Sequence, residues 1–150
     1  MASWLTITES DLRDYLVAGQ LAALQNAALG GGQTPPFERI MPDRVMYVRN
    51  RIAGRVKVSA TPLTIPPELK TQTALLTIEA LSVRLSIGLE LTEDQKTMIK
   101  RAYADLDIAG TEDFPISDAD DAIEAPVQSP GGIAWGGPKR RATRDNLRGL

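Results

Sequence analysis

The breaks in this sequence constrain its fold more than any other feature. Gly30, Gly31 and Gly32 run into Pro35 and Pro36, while Pro62, Pro66 and Pro67 crowd residues 60–67. Single glycines stand at Gly88 and Gly110. Inside a helix a glycine costs about 1 kcal/mol and a proline about 3 kcal/mol relative to alanine, so helices are expected to stop at these clusters. Four stretches remain between the breaks. Their apolar residues recur at steps of three and four, and such spacing predicts an all-α body of about four helices.

The first helix is expected over residues 8–29, after a short extended segment. Thr8-Glu9-Ser10-Asp11 reads as its start, with Thr8 placed to cap the Asp11 amide and acids in the first turn. Leu12, Tyr15, Leu16, Leu21 and Leu24 follow at helical spacing, with Gly19 as an interruption. A second helix over 42–59 opens with Pro42 in its first turn. It carries Val45, Val48, Ile52, Arg55 and Ser59 along one line. Residues 60–67 must then cross in extended form. The third helix, 67–87, has Leu69, Leu76, Ala80, Val83 and Ile87 on one stripe, widened by Leu75, Ile78, Leu81 and Leu85. So broad an apolar surface predicts a central helix contacted on several sides. Gly88 stops it. Thr92-Glu93-Asp94-Gln95 is a capping box opening a fourth helix over 92–108, with Met98, Ile99, Ala102, Tyr103 and Leu106 facing inward. Leu76, Val83 and Met98 are expected in the core.

After Gly110 the character changes. Residues 111–125 are acidic without a single base, and 126–138 are rich in proline and glycine, with Ile133 and Trp135 as the large apolar side chains. Such a stretch is too poor in apolar residues to fold alone. The expected organisation is a helical body over 1–110 and, over 111–150, an acidic segment leading into an extended, basic carboxy-terminal arm.

Two absences narrow the chemistry. The 150 residues include no cysteine and no histidine. Thiolate nucleophiles and zinc–thiolate sites are thereby excluded, and the commonest general base and metal ligand is missing. The expectation is a non-enzymatic protein with no cofactor and no metal. The glycines at 30–32 lack the Gly-Lys-Ser/Thr of a phosphate loop. Asp118, Asp120 and Asp121 lack the glycine and spaced glutamate of a calcium loop. No apolar run approaches the roughly 18 to 20 residues that span a bilayer, and Met1-Ala2-Ser3-Trp4 does not open a secretory signal. No membrane association is expected.

The net charge of −2 conceals blocks. Residues 1–38 carry −3, 39–59 carry +5, 60–110 carry −2, 111–125 carry −6 and 126–150 carry +4. The basic block supplies Arg44, Arg49, Arg51 and Arg55 as candidates for pairing with acids on a neighbouring subunit. Few aromatics accompany them and the isoelectric point is about 5.2, a poor footprint for independent nucleic-acid binding. Near the terminus, Trp135 between paired glycines, followed by Lys139, Arg140, Arg141, Arg144 and Arg148, has the composition of an interface anchor.

These residues also resemble a known family. Leu5-Thr6-Ile7-Thr8-Glu9-Ser10-Asp11-Leu12 is similar to the opening of small head–tail adaptor proteins of Mu-like tailed phages. Pro66-Pro67-Glu68-Leu69-Lys70 at the start of a long helix continues the likeness. So does the ending Thr143-Arg144-Asp145-Asn146-Leu147-Arg148-Gly149-Leu150. The chain departs from that pattern at 30–37, where an aspartate-rich loop belongs, and in its long acidic segment. The resemblance implies a structural virion protein in a homo-oligomeric ring, commonly a dodecamer. That ring sits between the portal protein and a downstream neck or tail-completion protein. The terminal arm, Trp135 and the five bases after it, would meet the portal. Packaged DNA would pass without sequence-specific binding, and Asp118, Asp120 and Asp121 are candidates to face that channel, since acidic walls do not grip phosphates. The protein would reside in the host cytoplasm during assembly and then in the virion neck. The alternative class is a cytosolic DNA- or protein-binding regulator with a basic tail.

Overall fold

The computed structural model describes residues 2–28, 34–85, 88–111 and 113–122. Among them the chain is an all-helical domain with five α-helices, α1 (Glu9–Arg13), α2 (Ala18–Ala28), α3 (Pro36–Ile52), α4 (Lys70–Arg84) and α5 (Glu93–Ala109). A 3₁₀ turn, Pro67–Leu69, leads into α4. No sheet forms among the described residues; three single β-bridges pair Ala2 with Ala119, Leu5 with Ile65 and Ser59 with Ala122.

The body is a triangle of α3, α4 and α5, with α1 against α4 and α2 against α3. As its broad apolar surface predicts, α4 is the hub, and every residue from Thr73 to Ile78 is buried. Its two buried hydroxyls stay satisfied inside the helix. Thr73 Oγ1 donates to the Leu69 carbonyl and Thr77 Oγ1 to the Thr73 carbonyl, both at 2.8 Å. Val45, Val48 and Ile52 of α3 and Leu106 of α5 complete the core, all at most 1% exposed.

Several boundaries differ from expectation for identifiable reasons. The break in the first helix falls at 14–17 and not at Gly19, because Gln20 Oε1 accepts from the Val17 amide at 3.1 Å and caps the first turn of α2. Asp11 caps Thr8, with its carboxylate accepting from both the Thr8 amide (2.8 Å) and hydroxyl (2.9 Å). Helix α3 starts at Pro36, not Pro42, and ends at Ile52, not 59. Phe37 and Ile40 extend its buried face one turn earlier, which outweighs the ladder bond that Pro42 removes from its interior. Thr92 and Gln95 form the expected capping box, and Gly88, at φ +90 with Ala23 Cβ 3.0 Å from where its own Cβ would be, occupies a turn closed to L side chains.

Two residues expected in the core are outside it. Val83 is 79% exposed and Met98 is 38% exposed, while Leu76 is fully buried. The apolar surface of α4 is wider than the helices covering it, so its last turn presents Val83 beyond the cover of α3 and α5. Met98 sits over a shallow depression with Leu75 and Ala102. Ile87, on the same stripe, lies outside the described residues.

Part of the acidic segment expected after residue 110 lies among the described residues. Residues 113–122 pack on the body, with Ala119 fully buried and Phe114, Ile116 and Ala122 against the core. They carry four backbone hydrogen bonds to residues 2, 57 and 60. The arm over 123–150 lies outside the described residues.

Candidate functional site

Of the four arginines expected at a subunit interface, three are engaged within the chain. Arg49 Nη1 donates to the carbonyls of Thr61 (3.2 Å) and Thr64 (2.6 Å), and its Nη2 donates to that of Ser59 (2.7 Å). Its guanidinium also lies 5.5 Å from the centre of the Trp4 ring. A planar fork of donors suits this role; it fastens residues 59–64 to α3, and that crossing is not extended as expected but turns at Pro62 and Leu63, the latter at φ +59. Arg51 pairs with Asp107 of α5 at the surface. Arg55 Nη1 donates to the Ala109 carbonyl at 2.9 Å and so closes the end of α5.

Arg44 differs. Among the described residues its buried Nε finds no hydrogen-bond partner, an arrangement that costs roughly 1–3 kcal/mol while it persists. It lines an open groove of about 450 Å³ between α3, α4 and α5, floored by Ile40 and Ala80 and edged by Val83. Asp43, Glu79 and Arg84 stand at the rim. Tyr103 crosses the groove wall and donates to Glu79 Oε2 at 2.5 Å. Burial, then this bond, pushes the Tyr103 phenol up to about 12, so it stays a neutral donor at neutral pH. Arg84 also borders a smaller depression of about 160 Å³ with Arg39. Among the described residues, Arg39, Arg44 and Arg84 form no ion pair. Met46 and Tyr47 are exposed farther along α3, at 46% and 39%. Arginine, tyrosine and methionine around an apolar floor are the residues enriched where proteins meet.

The three candidate channel acids are brought together at the far end of α3. Asp118 Oδ1 accepts from the Lys57 amide at 2.9 Å. Asp121 Oδ2 accepts from Ser59 Oγ (2.7 Å), Thr61 Oγ1 (2.7 Å) and the Thr61 amide (3.2 Å). The bonds from Ser59 and Thr61 hold the Asp121 carboxyl below its ordinary range. Asp120 is exposed, and its amide donates to the Ala2 carbonyl. Trp135, Lys139, Arg140, Arg141, Arg144 and Arg148 lie outside the described residues.

Sequence reasoning missed a buried amide pair. Gln20 and Gln95 exchange side-chain hydrogen bonds at 2.9 and 2.7 Å, and Gln95 Nε2 also donates to the Tyr15 carbonyl. The capping box was a visible signal for Gln95, but nothing in the sequence marks its partner 75 residues away. Among the described residues no cluster of three or more metal-ligating side chains occurs, and no helix is long and apolar enough to cross a membrane. Set against models of known protein families, curated proteins and solved structures, the chain matches none of them.

Proposed function

We propose that this chain is a structural virion protein, a subunit of the head–tail connector ring of a tailed phage that joins the portal to the tail-side neck. Its identity as a connector rests on the resemblance carried by residues 5–12, 66–70 and 143–150. One observation supports an assembly role over a chemical one: the groove edged by Val83 combines an apolar floor with Arg44, whose buried Nε has no partner among the described residues. A carboxylate or carbonyl of an adjacent subunit seated there would satisfy that donor and cover Val83. The interface candidate is therefore Arg44, with Arg84 beside it, while Arg49, Arg51 and Arg55 act within the chain. The arm with Trp135 and Arg144 remains the portal contact, and Asp118, Asp120 and Asp121 remain the channel-facing candidates, the last two exposed.

The test is Val83→Asp, followed by light scattering and circular dichroism. Because Val83 is 79% exposed, the variant should keep its helix content. The wild type should form rings, and the variant should not. A wild type that stays monomeric at every soluble concentration and binds duplex DNA would favour the regulator reading instead.

A further inference from the structure

Apart from the groove, residues 2–5, 57–65 and 113–122 meet at a junction joined by many hydrogen bonds. Each contact there is a single β-bridge and not a ladder, so no pair of segments is held by sheet cooperativity. Isolated backbone hydrogen bonds and side-chain contacts together join them. Trp4 is 7% exposed and donates from Nε1 to the Ser117 carbonyl at 3.3 Å, while its ring face receives Arg49. Arg49 in turn grips the carbonyls of Ser59, Thr61 and Thr64. Asp121 closes the circuit by accepting from Ser59 and Thr61. The Ala2 amide donates to the Asp118 carbonyl at 2.8 Å, and the Asp120 amide donates to the Ala2 carbonyl at 3.1 Å.

We propose that residues 2–5 are a latch: they and Arg49 clamp residues 113–122 onto the 57–65 crossing, and the assembly opens as one unit while α3, α4 and α5 stay folded. Opening is confined because residues 113–122 fully bury only one small apolar side chain, Ala119. Phe114 and Ile116 are only partly buried, whereas the α4 core residues are almost wholly so. The latch couples two distant parts of the sequence. A partner that takes up Trp4 or residues 2–5 would release 113–122, and with it the point from which 123–150 continues. This inference stands on the junction alone and does not need the connector reading.

Hydrogen exchange read by mass spectrometry on the full chain tests it. In the wild type, peptides covering 2–7, 57–65 and 113–122 should exchange at similar rates, faster than α4. Trp4→Ala should speed the second and third of these about ten-fold or more and leave α4 and α5 within about two-fold. Acceleration confined to 2–7, or spread equally through α4, would overturn the latch. Should Trp4→Ala not fold, Asp121→Ala, which empties no core volume, must speed exchange at 2–7 as well as at 113–122. Acceleration of 113–122 without 2–7 would mean that the two segments open independently, and the proposal would fail.

Discussion

Replacing Gln95 by alanine should be among the more damaging single changes to this domain, although it removes no large apolar group. Gln95 Oε1 accepts from the Thr92 amide at 2.9 Å and from Gln20 Nε2 at 2.9 Å. Its Nε2 donates to Gln20 Oε1 and the Tyr15 carbonyl, both at 2.7 Å. Gln20 is 4% exposed and Gln95 is 6% exposed, so water cannot replace these bonds without opening the junction of α2 and α5. Each buried group left unpaired costs about 1–3 kcal/mol, but the Gln20 amide can still donate to the Glu90 carbonyl and accept from Val17. The net expectation is about 2–4 kcal/mol of lost stability. For a domain of this size that lowers Tm by roughly 6–12 °C. Urea unfolding followed by circular dichroism measures the loss. A cycle with Gln20→Ala should add a coupling energy of about 1 kcal/mol or more. A Gln95→Ala protein within about 0.5 kcal/mol of wild type, or strict additivity in the cycle, would refute the buried-pair account.

Further expectations follow from other sites. Leu76→Ala should cost about 2–5 kcal/mol by denaturant unfolding, while Val83→Ala, about two helical turns away on the same stripe, should stay within about 0.5 kcal/mol. The carboxyls of Asp11 and Asp121 are held below the ordinary aspartate range, the first because Lys70 and Thr8 outweigh its burial, the second by Ser59 and Thr61. Lowered folded values mean that their contribution is present above about pH 4 and lost as pH falls through the folded values. Acid unfolding should therefore begin below pH 4, and Asp121→Ala should flatten that limb of a Tm-against-pH curve. Tyr103 works in the opposite direction. With its phenol raised to about 12, its contribution holds below pH 10 and is lost as pH rises through 12, and the absorbance component titrating there should vanish in Tyr103→Phe.

What could be read from the sequence was the local chemistry. The Thr92–Gln95 capping box and the proline-led 3₁₀ turn at Pro67 act over three or four residues and sit where the spacing put them, whereas the helix expected over 67–87 runs from Lys70 to Arg84 and ends before Gly88. The boundaries that differ lie where neighbouring signals compete. Pro42 looked like a first-turn proline because Phe37 and Ile40, which carry α3 back to Pro36, follow a proline pair that reads equally well as loop. Val83 and Met98 belong to stripes wider than the partners available to cover them, and periodicity reports the stripe without its cover. For the candidate site, Arg44 was legible only as one of four similar arginines. What separates it is that Arg49, Arg51 and Arg55 find acceptors 10 to 56 residues away, and no periodicity encodes such pairings. The packing of 113–122 was hidden for the same reason, since its partners are Trp4, Lys57 and Ser59 and its own composition is that of a solvated acidic run.

The central claim, that this chain is a connector subunit anchored by its terminal arm, is tested most directly by electron microscopy of portal-containing heads mixed with purified protein. The account predicts rings seated at the portal vertex with the wild type. With Trp135→Ala combined with Arg144→Ala it predicts a folded protein that leaves the vertex bare, because the loss of one aromatic anchor and its arginine removes the residues that dominate such contacts. It would be contradicted by a wild-type protein that ignores the portal and binds duplex DNA with an affinity falling steeply with salt. It would equally be contradicted by a double variant that seats on the vertex as well as the wild type does.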